Sequence, residues 1–531
     1  MNAATTRRVA IAAALVVSGN LLSRLLGFVR EPVVAALFGA SGTADAFEVA
    51  TRLPQLVHDL VIGGAVSGVL IPLFSEIATN DRRLAHAFTS LLLSVGIALI
   101  GVVLILVVMA ESVVAMAAPG LSETARETAV VMTRITLPAV IFLGLSAVVA
   151  ARLYARDRYA APAFAPATFN GTLIVLALAL TPVVGPSGVA LGYLVGAGAH
   201  LLVQAPALMR DRVRFSWPGW RGGEDSSRAL RLYAPIAAGL LLAQILVVVD
   251  TNLASRTGEG SLAIMRYATR LQQFPLGLIG TAITLSFLPV LARQAPQQSV
   301  DLPEATEFRA TLVMAVRTAF VLIVPITVVL TVLSEPVVRV VYERGAFDSA
   351  AAELTGLALL IYAVQLPLTV LDQVFIAAFY ATRNTLTPVL VGVCGGIAYL
   401  VTALSLVEPF GVFGLIAANT VQNGLHGLVL GWLLWRRIKG FDDPSLGSAA
   451  VRVILAGAVA AFLGLVVREW MMSDLDPAAW KVLTVSGSAI LGTYFVLLGC
   501  FRVPEVRTFM RVVGACFGPS TRKPPLEGNG H

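Results

Sequence analysis

The chain has 531 residues, 57% of them hydrophobic and 13% charged, with a mean hydropathy of +0.83. A soluble globular chain carries roughly 25% charged residues, so a soluble enzyme or nucleic-acid-binding domain is excluded and an all-α polytopic membrane protein remains. The net charge of +7 comes from Lys and Arg in short loops, the positive-inside pattern. Cys394, Cys500 and Cys516 show no CxxC spacing, which leaves neither a disulfide framework nor a zinc site.

A span needs about 20 apolar residues, and about fourteen such runs can be marked off. No hydrophilic stretch is long enough for a soluble domain, so function must lie in the membrane. Span 1 covers residues 9–28. Arg7 and Arg8 before it could open an export signal, but the run continues past any small-residue cleavage site into Arg24. Span 2 runs from about 43 to 74 and is interrupted by Pro54 and Gly63-Gly64, which mark protein-buried or cavity-lining backbone.

Spans 3 to 6 cover about 88–109, 128–153, 162–183 and 188–208. A basic stretch from Arg210 through Arg212, Arg214, Arg221 and Arg228 to Arg231 follows, with Trp217 and Trp220 as expected at an interface. Spans 7 to 12 cover about 234–253, 264–291, 312–333, 351–379, 386–407 and 411–435. Spans 13 and 14 cover about 449–467 and 480–500, and a basic, Pro- and Gly-rich tail reads as disordered. Even-to-odd connections carry Arg82, Arg83, Arg156, Arg158, Arg383, Arg436, Arg437 and Lys439, which puts both termini in the cytoplasm.

An internal repeat underlies this order. Ala50-Thr51-Arg52-Leu53 recurs as Ala268-Thr269-Arg270-Leu271, and Ile71-Pro72-Leu73 as Leu288-Pro289-Val290, roughly 220 positions later. Tyr154-Ala155 with Pro162 is echoed by Tyr380-Ala381 with Pro388. Two six-helix lobes follow, 1–210 and 233–440, joined by a basic loop at 211–232. An even number of spans per lobe relates them by a pseudo-two-fold axis along the membrane normal, with a pathway between them. Residues 441–501 and the tail at 502–531 lie outside the repeat.

Charges among apolar residues single out 23–59. On span 2 an ideal helix puts Asp45, Glu48, Arg52 and Asp59 within a sector of about 60°. Glu48 and Arg52, spaced i to i+4, form a structural ion pair on the plainer reading. On the functional reading Arg24 and Arg30 of span 1 and Arg270 of span 8 join them, giving more cations than one pair requires. Three lipid-facing arginines would cost about 8–10 kcal/mol, so these must face water or a ligand. Guanidinium forks match phosphate oxygens and stay charged when water is thinned, which points to an anionic, phosphorylated cargo. Arg266 lies one turn before Arg270; the repeat match with Arg52 favours Arg270 for the cavity and leaves Arg266 for an interface.

Asp250, beside Thr251 and Asn252 at the end of span 7, either holds a coupling cation or proton or sits at the water interface. Asn419, Gln422, Asn423 and His426 make span 12 polar, and such amides commonly glue helices together. His58 and His200 have no ligand spacing around them.

Six segments in order carry a resemblance: SRLLGFVRE from Ser23, ADAF from Ala44, RLPQL from Arg52, PAFAPATFN from Pro162 to Asn170, RLQQFPLGLIG from Arg270 and FYATRNTLTP from Phe379. At these residues the chain resembles the lipid II flippases of the MviN type, within the multidrug, oligosaccharidyl-lipid and polysaccharide exporter superfamily. The resemblance implies a cationic central cavity, with spans 13 and 14 forming a groove for a polyprenyl tail. It implies a role in binding cargo for Arg24, Arg30 and Arg270, joined by Glu31 and Asp45, and makes Asp250 the sodium-site candidate. No organic cofactor is implied; coupling would come from Na+, H+ or the membrane potential. The resemblance further implies alternating access in the bacterial cytoplasmic membrane, by a monomer alongside cell-wall synthesis partners. This chain has His58 where the family commonly has a further cavity arginine, and Gly63 where it often has a glutamate. Arg52 lies about 120° from His58 on the helix and does not replace that arginine.

Binding residues are therefore expected at Arg24, Arg30, Arg52, Arg270, Glu31, Asp45 and Glu48. The closest rival is an exporter of another polyprenyl-diphosphate-linked oligosaccharide. A cation-coupled drug antiporter fits poorly with an arginine set that repels cationic drugs. A membrane glycosyltransferase would need large loops bearing acid and base groups, and a scaffold protein would use the charges only as pairs.

Overall fold

The computed structural model describes residues 3–61, 69–211, 244–295, 303–438, 444–475 and 478–503, which form helices and short turns. In lipid each backbone N–H and C=O must be satisfied within its own segment, which the helix achieves. The first helices are α1 (Ala3–Phe38), α2 (Gly42–Val61) and the short α3 (Ile71–Glu76). They are followed by α4 (Asp81–Val108), α5 (Ala110–Ala117), α6 (Glu123–Thr136) and α7 (Ala139–Ala155). The side chain of Asn80 caps α4 by accepting from the Arg83 amide. Next come α8 (Ala160–Val184), α9 (Ser187–Leu202), α10 (Ala205–Arg210) and α11 (Gln244–Ser255).

The remaining helices are α12 (Ser261–Gln294), α13 (Pro303–Val332), α14 (Ser334–Tyr342), α15 (Ser349–Val364), α16 (Leu366–Ala381), α17 (Leu386–Phe410), α18 (Val412–Arg437), α19 (Pro444–Leu475) and α20 (Ala479–Cys500). Among the described residues nine helical stretches are long and apolar enough to cross a membrane, or ten if α15 and α16, bent by 42° at their junction, count as one. α1 and α11 reach the edge of the described residues, and α2 and α18 are polar along one face, so about fourteen spans stays an expectation. Gly63-Gly64, Arg212 to Arg231 with Trp217 and Trp220, Lys439, the tail beyond Val503 and the side chains of Arg7 and Arg8 lie outside the described residues.

One compact unit comprises Met1–Arg270, Val341–Ala358 and Thr402–Ile416. Within it α1 packs on α8, α8 on α9, α2 on α6 and α4 on α7. Lipid tails are as apolar as leucine, so close approach through small residues decides such contacts. Gly19 of α1 lies directly against the Ala163 backbone, and a Cβ at Gly196 would stand 2.9 Å from the Phe169 carbonyl. Where side chains are larger they interlock: Phe74, Leu84 and Phe88 pack with Val148 and Leu153, and the Phe74 and Phe88 rings meet edge to face at 6.3 Å.

The other unit comprises Leu271–Val340, Leu359–Val401 and Ala417–His531. There α13 packs against α16 and α19, and α19 against α20. Tyr494 Oη donates to the Val321 carbonyl at 2.9 Å and Arg468 Nη1 to the Val332 carbonyl at 3.1 Å, tying α19 and α20 to α13. Val451, Ile454, Leu455 and Phe462 of α19 and Val485 and Val496 of α20 are exposed.

Candidate functional site

The site grows from a corner of the first unit. α1 stops at Phe38 because Gly39 turns the chain with φ +62°, and the Ala346 carbonyl occupies the place a Cβ would need. Gly260, with φ +83°, makes the matching turn before α12, there against the Ala40 carbonyl. Tyr267 Oη donates to the Gly39 carbonyl at 3.1 Å, and the rings of Tyr267, Tyr342 and Phe347 stack around it with centroids 5.1–5.7 Å apart.

The starts of α2 and α12 cap each other. The Asp45 carboxylate accepts from the Gly260 amide at 2.7 Å and the Ala263 amide at 2.8 Å, while Glu259 accepts from the Gly42 amide at 2.8 Å. Each acid satisfies amides that a helix start leaves unpaired and lies at the positive end of the helix dipole. Asp45 with Ala263, and Glu48 with Arg266, stand 218 positions apart. That is the spacing at which Ala50-Thr51-Arg52-Leu53 recurs, so equivalent positions of the repeat meet face to face here.

One helical turn along, the charges gather. Arg266 donates through Nε to Glu31 Oε2 at 2.8 Å and through Nη2 to Glu31 Oε1 at 3.2 Å, and its Nη1 bonds Glu48. Its guanidinium also lies over the Phe47 ring, 5.3 Å from the centroid. Arg30 Nη2 reaches Glu31 Oε1 at 2.7 Å, and Arg30 Nη1 donates to Asn170 Oδ1 at 3.2 Å. Asn170 in turn donates to the Pro166 carbonyl at 3.1 Å, so α8 holds the Arg30 fork in place.

Two more arginines stand at longer range: Arg52 Nε is 3.6 Å from Glu48, and Arg270 Nε is 3.6 Å from Glu31. Side-chain exposure rises outward, from 1% at Glu31 and 9% at Arg266 to 34% at Arg52 and 46% at Arg270. The inner members hold one another, and the outer two are the most exposed of the set. Four guanidiniums against two carboxylates leave two positive charges.

The expected residues thus divide. Arg30, Glu31, Glu48, Arg52 and Arg270 come together. Asp45 is buried as a helix cap, and Arg24 is exposed on α1, N-terminal to Arg30. The expected Glu48–Arg52 pair is present but long, because the nearer partner of Glu48 is Arg266. His58 and Gln55 both contact Asp59, at 3.2 and 2.8 Å. Asp250 lies partly buried in α11. Sequence reasoning missed Arg266 as the hub and Asn170 as its neighbour's support. The signal for Arg266 was its repeat position, which matches Glu48.

Among the described residues no group of His, Cys, Asp and Glu could hold a metal ion. An all-helical membrane protein that gathers buried charge into a cationic cluster belongs to the class of polytopic transporters. The fold is similar to a lipid II flippase MurJ in an inward closed conformation, at 22% identity and TM-score 0.78 over 94% of this chain and 100% of that one. It is also similar to an inward-facing multidrug resistance MATE family transporter of the MOP superfamily, at 16% identity and TM-score 0.66 over 81% and 98%.

Residues 34–485 match the family described as lipid II flippase MurJ. The chain is 31% identical over 498 residues to a probable lipid II flippase MurJ of Rhizobium meliloti, covering 90% of this chain and 91% of that protein. It is 31% identical over 508 residues to the lipid II flippase MurJ of Burkholderia cenocepacia, covering 91% and 94%. The chain belongs to the MurJ family.

Proposed function

We propose that this chain carries lipid II, the polyprenyl-diphosphate precursor of peptidoglycan, from the inner to the outer leaflet of the bacterial cytoplasmic membrane. It is a flippase and not an enzyme, since moving the cargo breaks no bond. The observation that carries this reading is the excess of guanidinium over carboxylate around Arg266, with Arg52 and Arg270 its most exposed members. A diphosphate takes up those two charges through bidentate forks.

On this reading Arg24, Arg30, Arg52 and Arg270 receive the head group, Glu31 and Glu48 hold the arginines apart, and Asp45 locks the corner. The apolar surface of α19 and α20 takes the polyprenyl tail. Cargo moves by alternating access between two six-helix lobes, with both termini in the cytoplasm. Na+ at Asp250, protons or the membrane potential drive the cycle, and the chain acts as a monomer beside cell-wall synthesis enzymes.

Vesicles containing the purified protein and lipid II in both leaflets test the cargo. Transfer of lipid II, with little transfer of the same lipid bearing a monophosphate in place of the diphosphate, is the expected result. Equal transfer of the two would remove the arginine cluster from cargo recognition. Transfer of a different diphosphate-linked glycan with lipid II left in place would shift the cargo to that glycan.

A further inference from the structure

The second unit contains a polar ladder. Gln365, Thr369 and Asp372 recur at i, i+4 and i+7 along α16 and the junction before it, and Asn419, Asn423 and His426 recur at the same spacing on α18. Each set therefore lies on one face of its helix. The faces meet. Asn423 Nδ2 donates to Gln365 Oε1 at 2.9 Å, Gln365 Nε2 donates to Asn419 Oδ1 at 3.3 Å, and further along His426 Nδ1 lies 2.7 Å from Asp372 Oδ1. The ladder begins where α15 and α16 bend by 42°.

A third helix fixes the imidazole. His426 Nε2 is 3.2 Å from the Pro388 carbonyl of α17. Small residues let the helices approach: a Cβ at Gly392 would stand 3.7 Å from His426 Nε2, and one at Gly427 3.4 Å from Asp372 Cβ. The two side chains are 16% and 15% exposed, so neither is sealed within the protein.

This geometry sets the proton count. A backbone carbonyl only accepts, so Nε2 carries a hydrogen. Nδ1 faces a carboxylate oxygen at 2.7 Å, so another hydrogen lies between them, whichever atom holds it. The pair with that hydrogen is neutral. Without it, whichever ring nitrogen keeps its hydrogen, the other faces an acceptor lone pair to lone pair, and a net negative charge remains among apolar helices, where charge is costly.

Within this unit the other charges on the described parts of the packed helices are Arg293 of α12, Glu307, Arg309 and Arg317 of α13, and Arg436 and Arg437 of α18. The polar atoms in contact with the His426 ring are Asp372 Oδ1 and the Pro388 carbonyl.

We propose that Asp372 and His426 form a proton-binding site that couples cargo movement to protons, a proposal that rests on the transporter reading above. Taking up one proton from water closes α16 on α18 through the 2.7 Å contact. Releasing it leaves one His426 contact unbonded, to Asp372 or to the Pro388 carbonyl, and loosens the amide ladder toward the α15–α16 bend. The site is separate from Asp250 and needs no metal.

The test uses full-length protein in vesicles and two readouts. Infrared titration follows protonated carboxyl and imidazole absorption, comparing the wild type with Asp372→Asn and His426→Asn. One transition present in the wild type and missing from both variants is expected; the same titration in all three overturns the site. His426→Asn keeps an amide donor toward Asp372, so it serves if Asp372→Asn does not fold. In the second readout lipid II transfer is measured under an imposed pH gradient. A severalfold change on reversing the gradient, absent in His426→Asn, is expected; an equal response in that variant overturns the coupling. A wild-type titration without lipid II transfer leaves the proton site standing and overturns the cargo.

Discussion

Arg266 and Arg270 lie one turn apart on the same helix and do different work. Arg266 bridges Glu31 and Glu48, both nearly withdrawn from solvent, so its loss takes the nearest cation from Glu48 and leaves Glu31 to Arg30. Removing one partner of a buried ion pair costs about 3–5 kcal/mol. Arg266→Leu should therefore unfold at a clearly lower temperature in detergent, which a thermal-shift measurement reads; unchanged melting would contradict the hub. Glu48 separates internal pairing from cargo binding. Exchanging the charges as Glu48→Arg with Arg52→Glu would preserve function if these two residues merely paired. Here Arg266 is the nearer partner of Glu48, so the exchange sets two guanidiniums against each other. Loss of lipid II transfer is expected, and full transfer by the double variant would show that the Glu48–Arg266 bond is dispensable.

At the scale of helices, two kinds of contact carry the first unit. α1 meets α8 through backbone approach at Gly19 and Ala163, and through Asn170, which orients Arg30. Gly19→Leu should push α1 off α8, free Arg30 from Asn170 and lower transfer at least tenfold while leaving membrane insertion intact. Vesicle transfer alongside cysteine accessibility on α1 checks this, and wild-type transfer would show that the close approach is dispensable. The second kind is reciprocal capping between α2 and α12. Helix spans were legible from apolar runs, and the polar stripe of α2 from its 3.6-residue period. The partners in that stripe were not. Periodicity tells which residues share a face and is silent on which helix lies opposite, so Glu48 was paired with Arg52 when Arg266 stood nearer. The amides of span 12 were read as helix glue, which Gln365, Asn419 and Asn423 provide, but Asp372 was passed over because a lone acid in an apolar run has no local partner to announce it.

For the whole molecule, composition alone required a polytopic membrane protein, and the repeat spacing of α2 and α12 reappears as face-to-face contact at matched positions. The corner is thus a place where positions matched by the repeat spacing meet and cap each other. Reciprocal caps and the Arg266 bridge stabilise one arrangement of these helix ends, and alternating access requires that they part. The energy to part them must come from cargo, ions or the membrane potential. On the proposed reading, a diphosphate drawn to Arg52 and Arg270 would compete with Glu48 and Glu31 for the same cations, which would give the cargo a direct hold on the lock. The central claim is that this arginine cluster carries lipid II. Its most direct test is to deplete the native lipid II flippase in a bacterium, express this chain or its Arg270→Ala variant, and measure lipid II exposed on the outer leaflet. Exposure restored by the wild type and lost in a well-inserted Arg270→Ala is predicted; equal exposure with both, or none from a well-inserted wild type, would contradict it.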